Sequence, residues 1–470
     1  MKSFSHRGFT FDAGIRALEN SGALFPMLRE LGIDMPTVKD AVSIRVGGNS
    51  VRIDGGDSLS RYAAMLTDIF PEDSADIKRI SGEIAKVTSY MDVLYGVDNP
   101  LFRGTMSKSE LLSLIPWLFN YKVKMLKIKR MMEPVYPYLR RFTDDPILSD
   151  MIAQHFFSGT PAFFALSYFG VYADYSYPIG GTSALPSRLT EYITSKGGEI
   201  ATDSPVEATD PVRHTVSLSD GTVLCCDSLV WACDQKKLYA ASCCGAEHRT
   251  IIEGSRGGDS VLSVYIGVSV ESRCFHGHEF FTPFIRGLSS LSSFDAADAG
   301  GLNDMADWVR EYLCRTTFEI SCPCVRDSSL APGGCTGIIA STLMDITVAR
   351  SFAAMGAYDR FKKICTDTVV SILNATYCHD LSRNVLFALC STPLTIERES
   401  GNSDGAITGW SFTNREMPAV TGFGKIASAV KTPFCDTYQC GQWSFSPSGL
   451  PVSIMTGRLA ADAVIKGSGK

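Results

Sequence analysis

The spacing of apolar residues changes along the chain, and each change predicts a different element. Phe9-Thr10-Phe11-Asp12-Ala13-Gly14 has apolar side chains two apart and ends on glycine, which predicts a short strand stopped at a turn. Leu24 to Leu31 has helical spacing and Gly32 as its stop. Ala41 to Ile53 alternates as a hairpin with Gly47-Gly48-Asn49-Ser50 at its turn. Ser58 to Val93 predicts mostly helix, restarted at Pro71. Another helical stretch runs from Ser107 to about Met132 and breaks at Pro134 and Pro137.

The centre predicts a helix over Ala184–Ser195 capped by Gly197-Gly198. Strands follow at Glu199–Thr202 and Ser204–Ala208, then a hairpin, His214–Ser219 with Thr222–Cys225, turned by Asp220-Gly221. Ser228–Cys233 reads as a buried strand ended by Asp234. Val261–Val268 and Gly337–Met344 are continuous apolar strands, and Tyr358–Leu373 is a helix. At the end, Cys440-Gly441 closes a short strand. A loop rich in serine, proline and glycine leads into a helix with Pro451 in its first turn. A helix start exposes unpaired N–H groups and the positive end of a dipole, a seat for an electron-rich group.

The chain has 470 residues, enough for two or three domains, and 45% hydrophobic content is ordinary for globular proteins. A net charge of -6 gives no reason to expect nucleic acid. The most apolar stretch, Pro161 to Val171, is shorter than the roughly 20 residues a membrane span needs. The 15 cysteines, with no apolar leader, are expected as reduced thiols in a cytoplasm. Cys322-x-Cys324 and Cys243-Cys244 lack a second pair at zinc spacing, and Cys274-Phe275-His276-Gly277-His278 reads as a loop or strand edge. No metal site is expected. Trp117 to Phe142 is basic, with Lys122, Lys124, Lys127, Lys129, Arg130, Arg140 and Arg141. Leu118, Tyr121, Met125, Ile128 and Met132 form an apolar stripe along it. The pattern suits peripheral contact with an anionic membrane or a solvated helix packed by its stripe. The aromatics of His155–Phe157 and Ala162–Phe169 could line an isoprenoid tunnel or pack a core.

Several blocks together resemble the FAD-dependent carotenoid (phytoene) desaturase and amine oxidase superfamily. They are Gly8–Gly14, Tyr177-Pro178-x-Gly180-Gly181 with the helix behind it, Thr392–Arg398 through Gly409-Trp410, and Thr432-Pro433 through Ala461. The resemblance implies an α/β fold: a discontinuous FAD-binding, glutathione-reductase-like domain interleaved with an α+β substrate domain. The FAD domain would take 1–55, 175–245 and 421–470, and the substrate domain 56–174 (mainly helical) and 246–420. Carried over by position, Gly441, Gln442, Gly449, Leu450 and Pro451 would line the flavin. Gly14 would sit near the isoalloxazine and Val206 beside the adenine.

Members of the family open with a Gly-x-Gly-x-x-Gly unit that holds pyrophosphate and ribose. Here Met1 falls just after that position, and Gly422-Phe423-Gly424 has only part of the spacing. The FAD domain is therefore expected to be truncated at its N-terminus. Weak FAD binding, or a partner chain that supplies the unit, is expected with it. The implied function is a desaturase, saturase or isomerase acting on an apolar isoprenoid or carotenoid-like lipid by hydride transfer with the flavin. The alternative is a non-catalytic lipid-binding remnant or one part of a split flavoprotein. No catalytic side chain stands out, although Asp12, Arg16 and Glu19 are candidate polar neighbours of the flavin. The expected location is cytoplasmic, with membrane association through Trp117–Phe142.

Overall fold

A computed structural model describes residues 1–95, 115–153, 156–242, 246–284 and 301–468. The fold is mixed α/β. Its largest sheet has seven strands, in the order Val385–Ser391, Ser260–Val268, Thr336–Met344, Phe318–Ser321, His278–Thr282, Val42–Val46, Asn49–Ile53. Neighbours are antiparallel except His278–Thr282 with Val42–Val46, where the chain returns in parallel. Alternation along Ser260–Val268 sorts its side chains. Leu262, Val264, Ile266 and Val268 point into a core closed by the helices Leu302–Arg315, Ile346–Ala354 and Tyr358–Thr376. Ser263 and Tyr265 point the other way, where Phe9 and Phe11 cover Tyr265 and Ile339. Gly267 lets the Phe387 ring lie across the strand there, since a Cβ on it would stand 2.4 Å from that ring.

A second core joins the hairpin Val42–Ile53 to the helices Ser58–Ile69, Ser74–Tyr95, Ile115–Ile128 and Ala162–Tyr172. Gly32 ends the helix Leu24–Leu31 in the left-handed region, as its sequence predicts. The predicted helix Ser107–Met132 is described only from Ile115, where it runs to Ile128. On its stripe Ile128 is buried, but Met131 rather than Met132 faces the core, because the last turn tightens to a 3₁₀ helix over Lys129–Met131. Residues 154–155 and Cys243-Cys244 lie outside the described residues. Among the described residues no helix is long and apolar enough to cross a membrane.

Two predictions for the centre fail. Glu199–Thr202 is not a strand, and it stays exposed with no pairing partner among the described residues. The strand Leu229–Trp231 is real but only partly buried: Trp231 sits in a core and Leu229 packs on it, while Val230 is 40% exposed. Among the described residues it pairs in parallel only with Thr437–Gln439, so this small sheet keeps an open edge there. The strand Val206–Asp210 and the hairpin Thr215–Leu218, Val223–Cys225 form a separate three-stranded meander.

The N-terminal strands Ser3–His6 and Phe9–Asp12 pair as a hairpin through Arg7-Gly8. They are clamped to the centre by one buried carboxylate. Asp12 Oδ1 accepts from Ser3 Oγ at 2.8 Å, Thr182 N at 2.8 Å and Thr182 Oγ1 at 2.9 Å, and Oδ2 accepts from Tyr177 OH at 2.7 Å. Gly181, at φ +91°, wraps the carboxylate so closely that a Cβ would stand 3.2 Å from Oδ1. The Tyr177-Pro178-x-Gly180-Gly181 block is thus shaped around Asp12. Asp12→Ala leaves Tyr177 and Thr182 unsatisfied in the interior, at about 1–3 kcal/mol for each buried group. It should lower stability by about 3 kcal/mol or more in urea unfolding, whereas Asp12→Asn, which keeps an acceptor, should lose less than half of that.

Candidate functional site

The C-terminal segment brings three distant parts of the chain together. Cys440 N donates to Trp231 O at 3.0 Å, extending the parallel pair by one bond. Gly441 then turns at φ +85°, and a Cβ on it would stand 3.6 Å from Ala232 O. Its N–H donates to Thr456 Oγ1 of the last helix at 3.0 Å. Gly409, at φ +79°, lies so close to the loop that a Cβ would meet Gln442 O at 2.2 Å. Trp410 Nε1 donates to Trp443 O at 3.0 Å, with the two rings edge to face. Ser448 Oγ donates to Thr408 O.

The helix Leu450–Ser468 starts from this brace. Ser453 N donates to Gly449 O at 3.0 Å, so the N–H groups of Leu450 and Val452 lie ahead of the intrahelical ladder, and Pro451 has none. Next to this start stands Glu19, whose Oε1 would be 3.7 Å from a Cβ on Gly449. Burial, helped by the nearby Asp174 carboxylate, pushes the Glu19 carboxyl up from 4.5 to about 7. Burial also raises Asp174, and it raises Tyr175 far above the usual phenol range.

Tyr175 stacks on His278, with ring centroids 5.7 Å apart. His278 Nε2 lies 2.9 Å from Glu319 Oε1, and its Nδ1 faces Asp40 at 3.4 Å. Arg326 Nη1 donates to Asp40 at 2.6 Å and to Arg16 O at 3.0 Å, and its guanidinium covers the Tyr177 ring at 3.8 Å. Although burial opposes charge at both groups, Arg326 and His278 hold Asp40 below its ordinary value, and the two carboxylates hold His278 above its own. Arg16 is buried, donating to Ser341 Oγ at 2.8 Å and to Asp12 O. An aromatic run continues from Tyr175 through Tyr172 and Tyr168 to Phe156 and Phe164, with neighbouring rings 5.1–5.8 Å apart.

No family model matches the chain. A phytoene desaturase (lycopene-forming) from Pseudescherichia vulneris is 25% identical over 351 residues, which are 70% of this chain and 65% of that protein. The match thus spans just under two thirds of that relative's length. Among solved structures, an oxidoreductase from Methanosarcina mazei superposes with a TM-score of 0.56 at 11% identity, covering 99% of this chain and 90% of the other. A putrescine oxidase variant gives 0.58 at 12% identity, with 99% and 90% covered. A reduced UDP-galactopyranose mutase gives 0.53 at 12%, with 100% and 86% covered. At these identities the structural likeness is one of fold. The chain is thus similar in sequence to a phytoene desaturase and shares the fold of these oxidoreductases.

Of the residues the resemblance points to, Gly449, Leu450 and Pro451 form the start of the last helix, while Gly441 and Gln442 lie in the loop before it, tied to the helix through Thr456. Gly14 follows the Asp12 clamp, is exposed, and has open space where a Cβ would be. Val206 is 39% exposed on the meander, which is tied to the helix Gln235–Ala241 region by the Thr209–Ser242 bridge. Gly422-Phe423-Gly424 begins a 3₁₀ turn over Phe423–Ser428 with no strand before it, so it does not form a phosphate loop. Within Cys274–His278, His278 is occupied by two carboxylates in a strand. Sequence reasoning missed Asp174, Tyr175, Asp40 and Arg326, which carry no local motif and meet only through the fold.

Glu19 gives a test of this geometry. The unfolded chain loses the Glu19 proton near 4.5 and the folded chain near 7, so the folded form loses stability as pH rises between those values. Glu19→Gln has nothing to ionise. It should match the parent at about pH 4 and exceed it at about pH 8 by about 1–3 kcal/mol, allowing for partial solvent contact. Urea unfolding at the two pH values measures it.

Proposed function

We propose that the chain acts as a FAD-dependent oxidoreductase of the phytoene desaturase type, on a long apolar isoprenoid or carotenoid-like substrate. The observation that carries this reading is the braced start of the last helix: N–H groups at Leu450 and Val452 that lie ahead of the intrahelical ladder, Gly449 at the start and Gly441 in the loop before it, and a carboxyl, Glu19, beside Gly449. These residues fit the ring end of a flavin, since N–H groups at a helix start suit its electron-rich edge. A bound flavin supplies hydride chemistry. The protein's part is to orient and to exclude water. Glu19, protonated up to about pH 7, can hold a proton at its carboxyl beside the seat. The aromatic run from Tyr175 to Phe164 offers apolar, planar surface that suits a polyene.

Among the described residues the pyrophosphate end has no such seat. Among the described residues no glycine turn joins a parallel strand to a helix. We propose that a strand-turn-helix unit, supplied by a segment preceding this sequence or by a partner chain, docks on the open parallel pair Leu229–Trp231 and Thr437–Gln439. Val230, 40% accessible on that pair, is consistent with a covered face there. Peripheral membrane contact is supported by the helix Ile115–Ile128. Its outer side carries Ile115, Phe119 and Leu126, at 55%, 72% and 68% exposure, among Lys122, Lys127, Lys129 and Arg130. A lipid-binding role without catalysis shares the membrane face and the aromatic run but has no use for the helix-start seat.

Visible absorbance of the purified protein separates these readings. The chain alone should carry little flavin, and co-expression with a family strand-turn-helix unit should bring it to one equivalent. A full equivalent on the chain alone would remove the need for the unit, and none in either preparation would remove the flavin. In the loaded protein, Gly449→Val should cut flavin content severalfold while Gly48→Val, at a hairpin turn with open space, leaves it unchanged. Equal content in the two variants would count against the helix-start seat.

A further inference from the structure

Outside the site described above, one cleft gathers three side chains of metal-binding type from segments more than 200 residues apart in sequence. His214 stands in the turn between Val206–Asp210 and Thr215–Leu218, and Cys435-Asp436 immediately precedes the strand Thr437–Gln439. The cleft between them is lined by these three residues together with Thr209, Asp210 and Cys226. His214 Nε2 lies 3.7 Å from Asp436 Oδ2, and Cys435 Sγ lies 3.1 Å from the same oxygen. All three ligand atoms fall within 4.8 Å of one another. Zinc bonds of about 2.0–2.3 Å in a tetrahedron put neighbouring ligand atoms roughly 3.3–3.8 Å apart. The two shorter separations are therefore already close to what the ion needs.

We propose that His214, Cys435 and Asp436 bind a divalent cation of the zinc class, with water as fourth ligand. A nitrogen, a thiolate and a carboxylate together suit zinc rather than calcium or magnesium, which take oxygen alone. The backbone supports the arrangement. His214 and Asp436 both sit in the left-handed region, at φ +56° and +47°. Asp436 O accepts from Leu229 N at 2.9 Å, which anchors that loop to the parallel pair. Bound there, the ion would pin the meander to the open parallel sheet, two units that otherwise share no strand pairing. Without a cation, the Asp436 carboxylate raises the Cys435 thiol. On binding, the thiol passes its proton to solvent as the Cys435 Sγ–metal bond forms, so uptake should release one proton and weaken as pH falls.

The test is a titration of the full, reduced chain with Co²⁺ alone under anaerobic conditions. One equivalent should produce a thiolate-to-cobalt charge-transfer band in the near ultraviolet, and Zn²⁺ should displace it. Cys435→Ser should abolish the band, and His214→Ala should weaken affinity by at least about a hundredfold, more than the loss of an outer-shell partner. The double variant C225S/C226S, which removes the neighbouring thiols, should leave the band intact. Metal-free unfolding midpoints should match the parent, since Cys435 is exposed. Asp436→Asn, which keeps the thiol and shape, serves as a second variant and should also weaken binding. No thiolate band in the parent would mean that the cluster is an ion pair only. A band that survives Cys435→Ser, or is lost in C225S/C226S, would place the metal elsewhere. Any of these results overturns the proposal.

Discussion

The buried carboxylate of Asp12 is the contact on which the arrangement of this protein turns. Four donors from three residues converge on it, and those of Tyr177 and Thr182 would be left unsatisfied in the interior without it. The hairpin it anchors lays Phe9 and Phe11 over the outer face of the seven-stranded sheet. The same contact fixes the turn from which the helix Ala184–Ser195 departs. The chain leaving the clamp carries Arg16 onto Ser341 and then Glu19 to the start of the last helix. A shift at Asp12 would therefore reach the cover of the sheet, the central turn and the candidate site together.

The candidate site itself is built by backbone approach more than by side-chain chemistry. Gly409 lets the loop of the last segment approach at a distance no side chain would permit, and Gly441 supplies its left-handed turn at φ +85°. Tryptophans 410 and 443 and the Ser448 hydroxyl then lock that loop. The polar groups behind it form two sets, only one of them charge-balanced. Asp40, Glu319, His278 and Arg326 neutralise one another, while Glu19 and Asp174 face each other in surroundings that favour a proton. Separating groups that stay charged from groups that stay neutral is how a fold keeps a proton available near neutral pH.

Much of this was legible in the sequence where the determinants are local. The helix Leu24–Leu31 with its Gly32 stop, the Asp220-Gly221 hairpin, the two apolar strands of the large sheet and the proline-opened last helix all follow from spacing and turn chemistry. The resemblance in the terminal block marked the glycines that the fold gathers. Failures came where the outcome depends on a distant partner. Glu199–Thr202 has strand-like residues but nothing to pair with among the described residues. Ser228–Cys233 has the composition of a buried strand yet lies at an open edge. Asp40, Glu319 and Arg326 carry no motif, and the His214, Cys435 and Asp436 trio is split across more than 200 residues of sequence.

The central claim is that the start of the helix Leu450–Ser468 is a seat for a flavin ring. A crystal structure of the flavin-loaded protein tests it most directly. The account predicts the isoalloxazine ring against the N–H groups of Leu450 and Val452, with the Glu19 carboxyl beside it and Gly441 and Gly449 in contact. A ring bound elsewhere, with that helix start facing only protein or solvent, would contradict it.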